Sequence, residues 1–568
     1  MRIRTKLLTA AAGASLAAVG VLAAIGAAGP TISLTPVLSA NAKTTGYSRP
    51  NVLSPELQDI VWAQGSNPVE NPSNNVVAYG YDGNGTFLPV PSSFVAPPTP
   101  PATTPLASVT IGQATPLEAQ KTEPDKNTYL VLAGQHGFDP NYDYGTHFLF
   151  QGHENGTRNA ITGLGMACLT RVNLDADAAH RVTLLATNDV NGSLIPVMDG
   201  STWYPWASQL LFTFEGGANG GVWQATVDYP STVVDLGGIL GRGGYEGIQA
   251  DSDGNLWIVE DVGGSKGAVN KHARQPNSFV YRFIPYNVAD LTAGGVLQAL
   301  QVESRANPGQ PIVFHPGQAD ADILAQDQQD LHTYGFSFFT RWVKLHDTVV
   351  DGFAPFDANA LAKTLLATPF KRPENGLFRP DGRFRQFVFD TTGDTDATTE
   401  AGSAFGGFGA IFVLTQKGPS RNDGLLTLLF RGDVDHTALD NCAFSDTSHV
   451  VFVEDRGDLL HGQHNALDSG FVFDLTVNYA NPLTPAPVRI LALGRDASST
   501  VDSSLLEAGN GFQNDGDNEI TGIHVSDGDP TIGGILGAKP PHVFKGGWRV
   551  FYTQQHGDNV TWELLPAH

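Results

Sequence analysis

The chain has 568 residues, with 57 Asp+Glu against 33 Lys+Arg and a formal charge of −24. So acidic a protein does not bind nucleic acid by neutralising phosphates, and 41 % hydrophobic residues are too many for wholesale disorder. Two cysteines exclude a disulfide-stapled scaffold and a cysteine-rich zinc array.

Arg2, Arg4 and Lys6 precede an Ala/Val/Leu/Gly-rich run from Leu7 to Ala28, and Ala40-Asn41-Ala42 has the small-x-small pattern of a cleavage site. Residues 1–42 are therefore expected to be a signal peptide, which places the protein in the periplasm or outside the cell. An uncleaved anchor is the alternative. Arg2 and Arg4 are not adjacent, so a twin-arginine signal is not expected, and no cysteine directly follows the run to carry a lipid. No later segment reaches ~18 uninterrupted apolar residues, so no membrane association is expected once the leader is removed. Residues 1–42 hold no acid, so the rest of the chain is more acidic still. Bound calcium, a hard cation available outside the cytoplasm, would neutralise such a charge. Simple solubility is the alternative reason for it.

Residues 43–105 are rich in Asn, Gly and Pro and end in a proline tract at 91–105, which reads as an N-terminal strap. The body, 106–568, alternates short β-rich runs with Gly/Asp/Asn turns. The runs include Phe148–Phe150, Gln209–Phe214, Leu256–Val259, Phe279–Ile284, Phe387–Phe389, Ala410–Leu414, Val450–Val453 and Val550–Thr553. Helical patterning is confined mainly to Ala321–Leu331 and Ala358–Leu366.

A weak repeat runs through the body: an acid, a short strand, an Asp-Gly-type turn, a longer strand, a polar end. Its units open at Glu246, Glu374, Asp440 and Glu519. The polar ends include Glu260-Asp261, Asp390 and Glu454-Asp455. Repeated β-units of this size indicate a propeller or a β-sandwich array. The intervals are too uneven for a WD40-like array. The expected fold is all-β, a β-propeller of about six blades with long insertions and a few short helices. First strands of blades line a central channel, so an acid at that place in several units aims several carboxylates at one axis. They repel one another unless cations sit between them. Surface turn caps are the alternative.

Several segments resemble the PhoX-type alkaline phosphatase family, secreted bacterial β-propeller phosphatases. Ala358 to Glu374 (ANALAKTLLATPFKRPE) is similar to a short helix followed by the family's A-T-x-x-x-R-P-E. Trp206 to Asp228 resembles its P-W-G-T-x-L-T-C-E-E-N … W-E-V-D stretch. Gly241-Arg-Gly-Gly-Tyr-Glu246 resembles G-R-x-x-H-E, and Leu439-Asp440-Asn-Cys-Ala-Phe resembles P-D-N-L-A-F. Glu519-Ile-Thr-Gly-Ile-His-Val-Ser-Asp-Gly, followed by Phe551-Tyr-Thr-Gln-Gln-His556, is similar to the terminal S-E-x-T-G-P-x-F-S-P-D-G … Q-H-P-G. Phe150-Gln-Gly-His153-Glu154 resembles V-x-N-H-E. The matches keep the family's order from about residue 145 onward.

The resemblance implies a phosphatase that hydrolyses small phosphate monoesters at the propeller axis, with calcium ions and a ferric pair; a monomer is expected. It makes Glu215, Glu246, Glu374, Asp440 and Glu519 candidate metal ligands, with Glu154 as a further one. Arg372 becomes the phosphate contact, for which its planar fork is suited. Phe214 stands where the family has a cysteine iron ligand, which puts the iron in doubt, and Tyr245 replaces a histidine. The alternatives are a non-catalytic calcium-bound propeller acting as a binding module, or another propeller hydrolase of lactonase or phytase type.

Other patterns read as structure. Gly263-Gly-Ser-Lys-Gly267 matches G-x-S-x-G but lacks a following helix, so it reads as a loop. Asp251-Ser-Asp-Gly-Asn255 lacks the EF-hand spacing and reads as a hairpin turn. His461 with His464, and His147 with His153 and Glu154, read as surface or rim groups rather than zinc sites. Cys168 and Cys442 are far apart in sequence, and an unpaired state is expected.

Overall fold

The computed structural model describes residues 34–37, 51–65, 67–70, 79–80, 122–154, 169–464, 466–493, 519–555 and 559–567. Three short strands come first, each serving a different sheet: β1 (Asn51–Leu53), β2 (Leu57–Ala63) and β3 (Val69–Glu70). Antiparallel meanders follow. β4 (Pro124–Val131), β5 (His147–His153), β6 (Leu169–Asn173) and β7 (Val182–Ala186) form one sheet, which β3 extends in parallel. β8 (Ser201–Tyr204), β9 (Gln209–Phe214), β10 (Gly221–Ala225) and β11 (Val233–Asp235) form the next.

The third sheet has nine strands. One half is the meander β12 (Tyr245–Ala250), β13 (Leu256–Glu260), β14 (Val280–Pro285), β15 (Gly295–Val302) and β16 (Ser337–Asp347). The other is β17 (Gly376–Phe378), β18 (Gln386–Thr391), β19 (Ala410–Gln416) and β20 (Asp423–Arg431). They join where Ser337–Arg341 of β16 pairs with Asp423–Thr427 of β20. Then come β21 (Leu439–Phe444), β22 (His449–Glu454), β23 (Ser469–Asp474) and β24 (Val488–Leu493), edged by β1. The last sheet is β25 (Ile520–Ser526), β26 (Arg549–Gln554) and β27 (Val560–Pro566), completed by β2.

The opening strands close on themselves. β4 packs against β8, β8 against β12, β12 against β17, β17 against β21, β21 against β25, and β25 against β4. This is a propeller arrangement of four separate sheets and the nine-stranded one. Hydrophobic clusters lie between neighbouring sheets, as where Ala443, Val451 and Leu491 meet Ile523, Val550 and Trp562.

Helices are few and short: α1 (Ala319–Ile323), α2 (Gln326–Leu331), α3 (Thr348–Asp351), α4 (Ala358–Thr364) and α5 (Gly457–His464). The helix expected over Ala321–Leu331 is two helices, broken because Ala325 is extended (φ −62°, ψ 147°). Leu34–Val37 docks on the body: Val37 N donates to Arg489 O (2.8 Å) and Thr35 Oγ1 to Glu56 (2.6 Å). The expected cleavage site at 40–42 and the proline tract at 91–105 lie outside the described residues.

Trp257 on β13 joins the two halves of the nine-stranded sheet. Its ring centre is 5.0 Å from Trp342 on β16, 5.0 Å from Phe378 on β17 and 5.1 Å from Phe387 on β18. Its indole N–H donates to Asp251 Oδ2 (2.8 Å). Trp257→Ala is expected to cost about 3–5 kcal/mol of stability, read as a lowered urea midpoint with an unchanged slope.

Candidate metal centre

Antiparallel pairing brings the start of each first strand and the end of its partner to one end of the ring. Asp125, Glu246 and Asp440 are the second residues of β4, β12 and β21. Asp199, Glu374 and Glu519 lie just ahead of β8, β17 and β25. Glu154, Glu215 and Asp261 immediately follow β5, β9 and β13. Four first strands slip register close to their acid: between Pro124 and Asn127, Tyr245 and Ile248, Leu439 and Cys442, and Thr521 and His524. Such a bulge bends the strand and re-aims a side chain out of the regular pleat. Gly522 shows why one of them needs glycine. Its φ is +59°, and a Cβ there would lie 2.5 Å from Asn127 Nδ2.

The result is a cluster of carboxylates. One oxygen from each of Asp125, Glu154 and Glu519 lies within 4.8 Å of the other two. The same holds for Asp125, Asp199 and Glu246, for Glu246, Glu374 and Asp440, and for Glu215, Asp261 and Glu374. Asp125, Glu246 and Glu374 each belong to two groups, so the four merge. Glu215 is exposed, whereas Asp125, Asp199, Glu246, Asp261, Glu374 and Asp440 are buried. Asp125 Oδ1 accepts from Thr521 Oγ1, but its Oδ2 and Asp199 Oδ1 are buried without a hydrogen-bond partner among the described residues.

Burial raises the carboxyls of Glu154, Asp199, Glu246, Glu374 and Glu519 well above the usual range, and that of Asp440 to about 7. Neighbouring carboxylates add to this: Asp125 acts on Glu154 and Asp440, Glu246 on Asp199, and Asp261 on Glu374. Unsatisfied carboxylate oxygens converging from several strands suit hard cations such as calcium. Among the described residues no thiolate or imidazole joins these groups.

Arg372 lies at the edge of the cluster. Its Nε donates to both oxygens of Asp261 (3.0 and 2.8 Å), and its Nη2 is 2.6 Å from Asp261 Oδ2 and 3.5 Å from Glu374 Oε1. Its side chain is 23 % exposed. The backbone at Arg372 is left-handed (φ +57°), held by a bond from Thr392 N to Arg372 O (2.8 Å). Lys371 goes to Asp394, 2.8 Å away and equally buried. Lys126, buried beside Asp125, donates to Asn375 Oδ1 (2.9 Å).

The structure therefore brings together Glu154, Glu215, Glu246, Glu374, Asp440 and Glu519, with Arg372 beside them. Other candidates lie apart. His153 bonds to Thr122 and Thr170 (2.8 Å each), and His147 to Asp175 (2.9 Å). The Phe214 ring packs on Trp223 (6.1 Å between centres), and the Tyr245 hydroxyl donates to Leu240 O (2.7 Å). Gly263–Gly267 is a loop, and Asp251–Asn255 is the β12–β13 turn. Cys442 is a free, buried thiol, whereas Cys168 and His556 lie outside the described residues, as does the side chain of His461.

Sequence reasoning missed Asp125, Asp199 and Lys126, and it did not separate Asp261 from Glu260. Glu260 turns inward, accepting from Tyr281 Oη (2.8 Å) and Asn359 Nδ2 (3.0 Å). Alternation was the available signal: buried Tyr245 pairs with Glu260, so the next residue falls at the axial end.

The fold resembles that of PhoX from Pseudomonas fluorescens, solved in complex with vanadate, a transition-state analogue. The two share 11 % identity over 93 % of this chain and 98 % of that one, with a TM-score of 0.50. Sqt1 from Chaetomium thermophilum (10 % identity, 74 % of this chain and 80 % of that one, TM-score 0.30) and TolB from Acinetobacter baumannii (9 %, 80 % and 65 %, 0.27) are more loosely similar. No family model and no curated protein matches the sequence. At these identities the likeness is one of fold.

A carboxyl raised in the folded state leaves more protons on the native chain than on the unfolded one, so stability falls as pH rises. Chelator-treated protein is therefore expected to be most stable near pH 4–5. It should lose stability as pH rises, with Asp440 titrating at about 7 and the other raised carboxyls acting in the same direction. Added calcium should remove this decline. Melting temperature against pH, with and without calcium, reads both effects.

Proposed function

We propose that the chain is a secreted, metal-dependent phosphatase of PhoX type that hydrolyses phosphate monoesters at the ring axis. The observation that carries this reading is Arg372, a partly exposed arginine whose guanidinium is clamped by Asp261 and Glu374 against a cluster of carboxylates with unsatisfied oxygens. A lactonase has no use for such a fork, whereas a phosphoryl group does. In this reading each half of the nine-stranded sheet counts as a blade, giving six. The leader directs export, and the protein acts as a monomer without nucleic-acid or membrane partners.

Glu154, Glu215, Glu246, Glu374, Asp440 and Glu519, with Asp125, Asp199 and Asp261, would hold the cations. The all-oxygen donor set fits calcium. It does not reproduce a cysteine-ligated iron, because Phe214 offers no donor. Bound cations would polarise the phosphoryl group and lower the pKa of water. Asp261 holds Arg372 through Nε and Nη2, and Nη1, which makes no hydrogen bond among the described residues, would take an incoming oxyanion. The backbone at Arg372 is left-handed and Lys371 is taken up by Asp394, so of these two adjacent cations only Arg372 is left to meet the scissile group.

Capture of most of that fork by Asp261 favours the second reading, a calcium-bound binding module without turnover. Purified protein is expected to contain calcium by metal analysis and to cleave p-nitrophenyl phosphate. Arg372→Ala should lower kcat/KM by about 10²–10³, the loss typical of one oxyanion donor. An inert wild type under calcium and iron supports the binding module, and an unchanged Arg372→Ala refutes the assignment of Arg372.

A further inference from the structure

The loop Gly263–Gln275 leaves the cluster directly after Asp261. Residues 262–289 contain no Asp or Glu, in a chain of charge −24, yet the loop carries Lys266, Lys271 and Arg274. We propose that this loop is an anion-recognition rim, in which Arg274 binds a second phosphate on the leaving portion of the substrate. The preferred substrates are then phosphate monoesters whose leaving group is itself phosphorylated. This rests on the phosphatase reading above.

Two links tie Arg274 to the segments that carry Asp261 and Arg372. A Cβ on Gly263, two residues from Asp261, would lie 3.4 Å from Arg274 Nη1. Arg274 N donates to Asp394 Oδ1 (3.0 Å), the carboxylate that also holds Lys371, the neighbour of Arg372.

The carboxylates around the loop face its backbone. Asp320 accepts from the N–H groups of Ala268, Val269 and Asn270, and Glu400 from those of Lys271, His272 and Ala273. Asp396 takes His272 Nδ1 (3.0 Å). These acids fix the loop's course and leave its cationic side chains unmatched. Among the described residues no carboxylate lies within 4.0 Å of Lys266, Lys271 or Arg274. Among the described residues the one side-chain hydrogen bond of Arg274 is a long one, Nη1 to Gly264 O at 3.5 Å. Lys266 and Lys271 are exposed and Arg274 is half-buried. A half-buried guanidinium with most of its fork unused binds a phosphate through paired, charge-assisted hydrogen bonds. Arg372 and the carboxylate cluster already serve the scissile group, so the rim meets what lies beyond it.

The test compares fructose 1,6-bisphosphate with fructose 6-phosphate on calcium-loaded protein. Wild type should favour the bisphosphate by about tenfold in kcat/KM, the size of one charge-assisted contact. The preference should shrink as salt is raised toward about 0.5 M, which screens an exposed contact. Arg274→Ala should bring the ratio near one, mainly through KM, and Arg274→Lys should restore part of it. If a variant fails to fold, the salt dependence of the wild-type ratio still decides. Hydrolysis of both esters at a ratio near one, insensitive to salt, overturns the rim and leaves the phosphatase reading standing. Hydrolysis of neither overturns that reading, and the rim with it.

Discussion

Repulsion among carboxylates at the ring axis is the interaction to which the rest of the structure responds. Each ionised carboxylate taken from water costs several kcal/mol unless it is paired, and neighbours of like sign add to the cost. The fold nevertheless holds Glu246, Glu374 and Asp440 buried and within reach of one another, with buried Asp125 joined to them through Glu246. Strand pairing and the hydrophobic clusters between sheets must outweigh that repulsion. The internal cations answer only part of it. Arg372 meets Asp261 and Glu374, Lys371 meets Asp394, and Lys126 meets an amide rather than an acid.

The same scaffold that concentrates the charge also gives it direction. Register shifts beside Asp125, Glu246 and Asp440 sacrifice ladder bonds at the end of the strand where those bonds are least shielded. In exchange, side chains that would alternate into the sheet faces bring their carboxylate oxygens together. Arg372 follows a similar logic in backbone form. A left-handed residue that is not glycine is uncommon, and here it separates two adjacent cations into different roles.

Much of the scaffold was legible because short strands with turn signals have a local cause. Gln209–Phe214 coincides with β9, and the hairpins at Glu246, Glu374 and Asp440 form as their turn residues indicate. The helix at Ala358 forms, capped by Asp357, which accepts from Ala360 N. What was not legible depends on distant partners. Nothing local announces that β16 will pair with β20, fusing two meanders into one sheet. Asp125 and Asp199 escaped notice because no Asp-Gly turn follows their strands at the distance seen in the later units. Asp261 was hidden beside Glu260, since only the register decides which of two consecutive acids faces the axis.

Ring closure has a consequence for timing. β2, near the start of the described chain, is the outer partner of β27, near its end, and Glu519 belongs to the sheet they complete. Synthesis proceeds from the N-terminus at about 5–20 residues per second. The acids of the earlier sheets are therefore made well before the last members of their constellation exist. A nascent chain lacks a finished cage, so the ions of the compartment where it is translated have nothing complete to occupy. Any cation the cluster takes can then be selected only where the final strand docks.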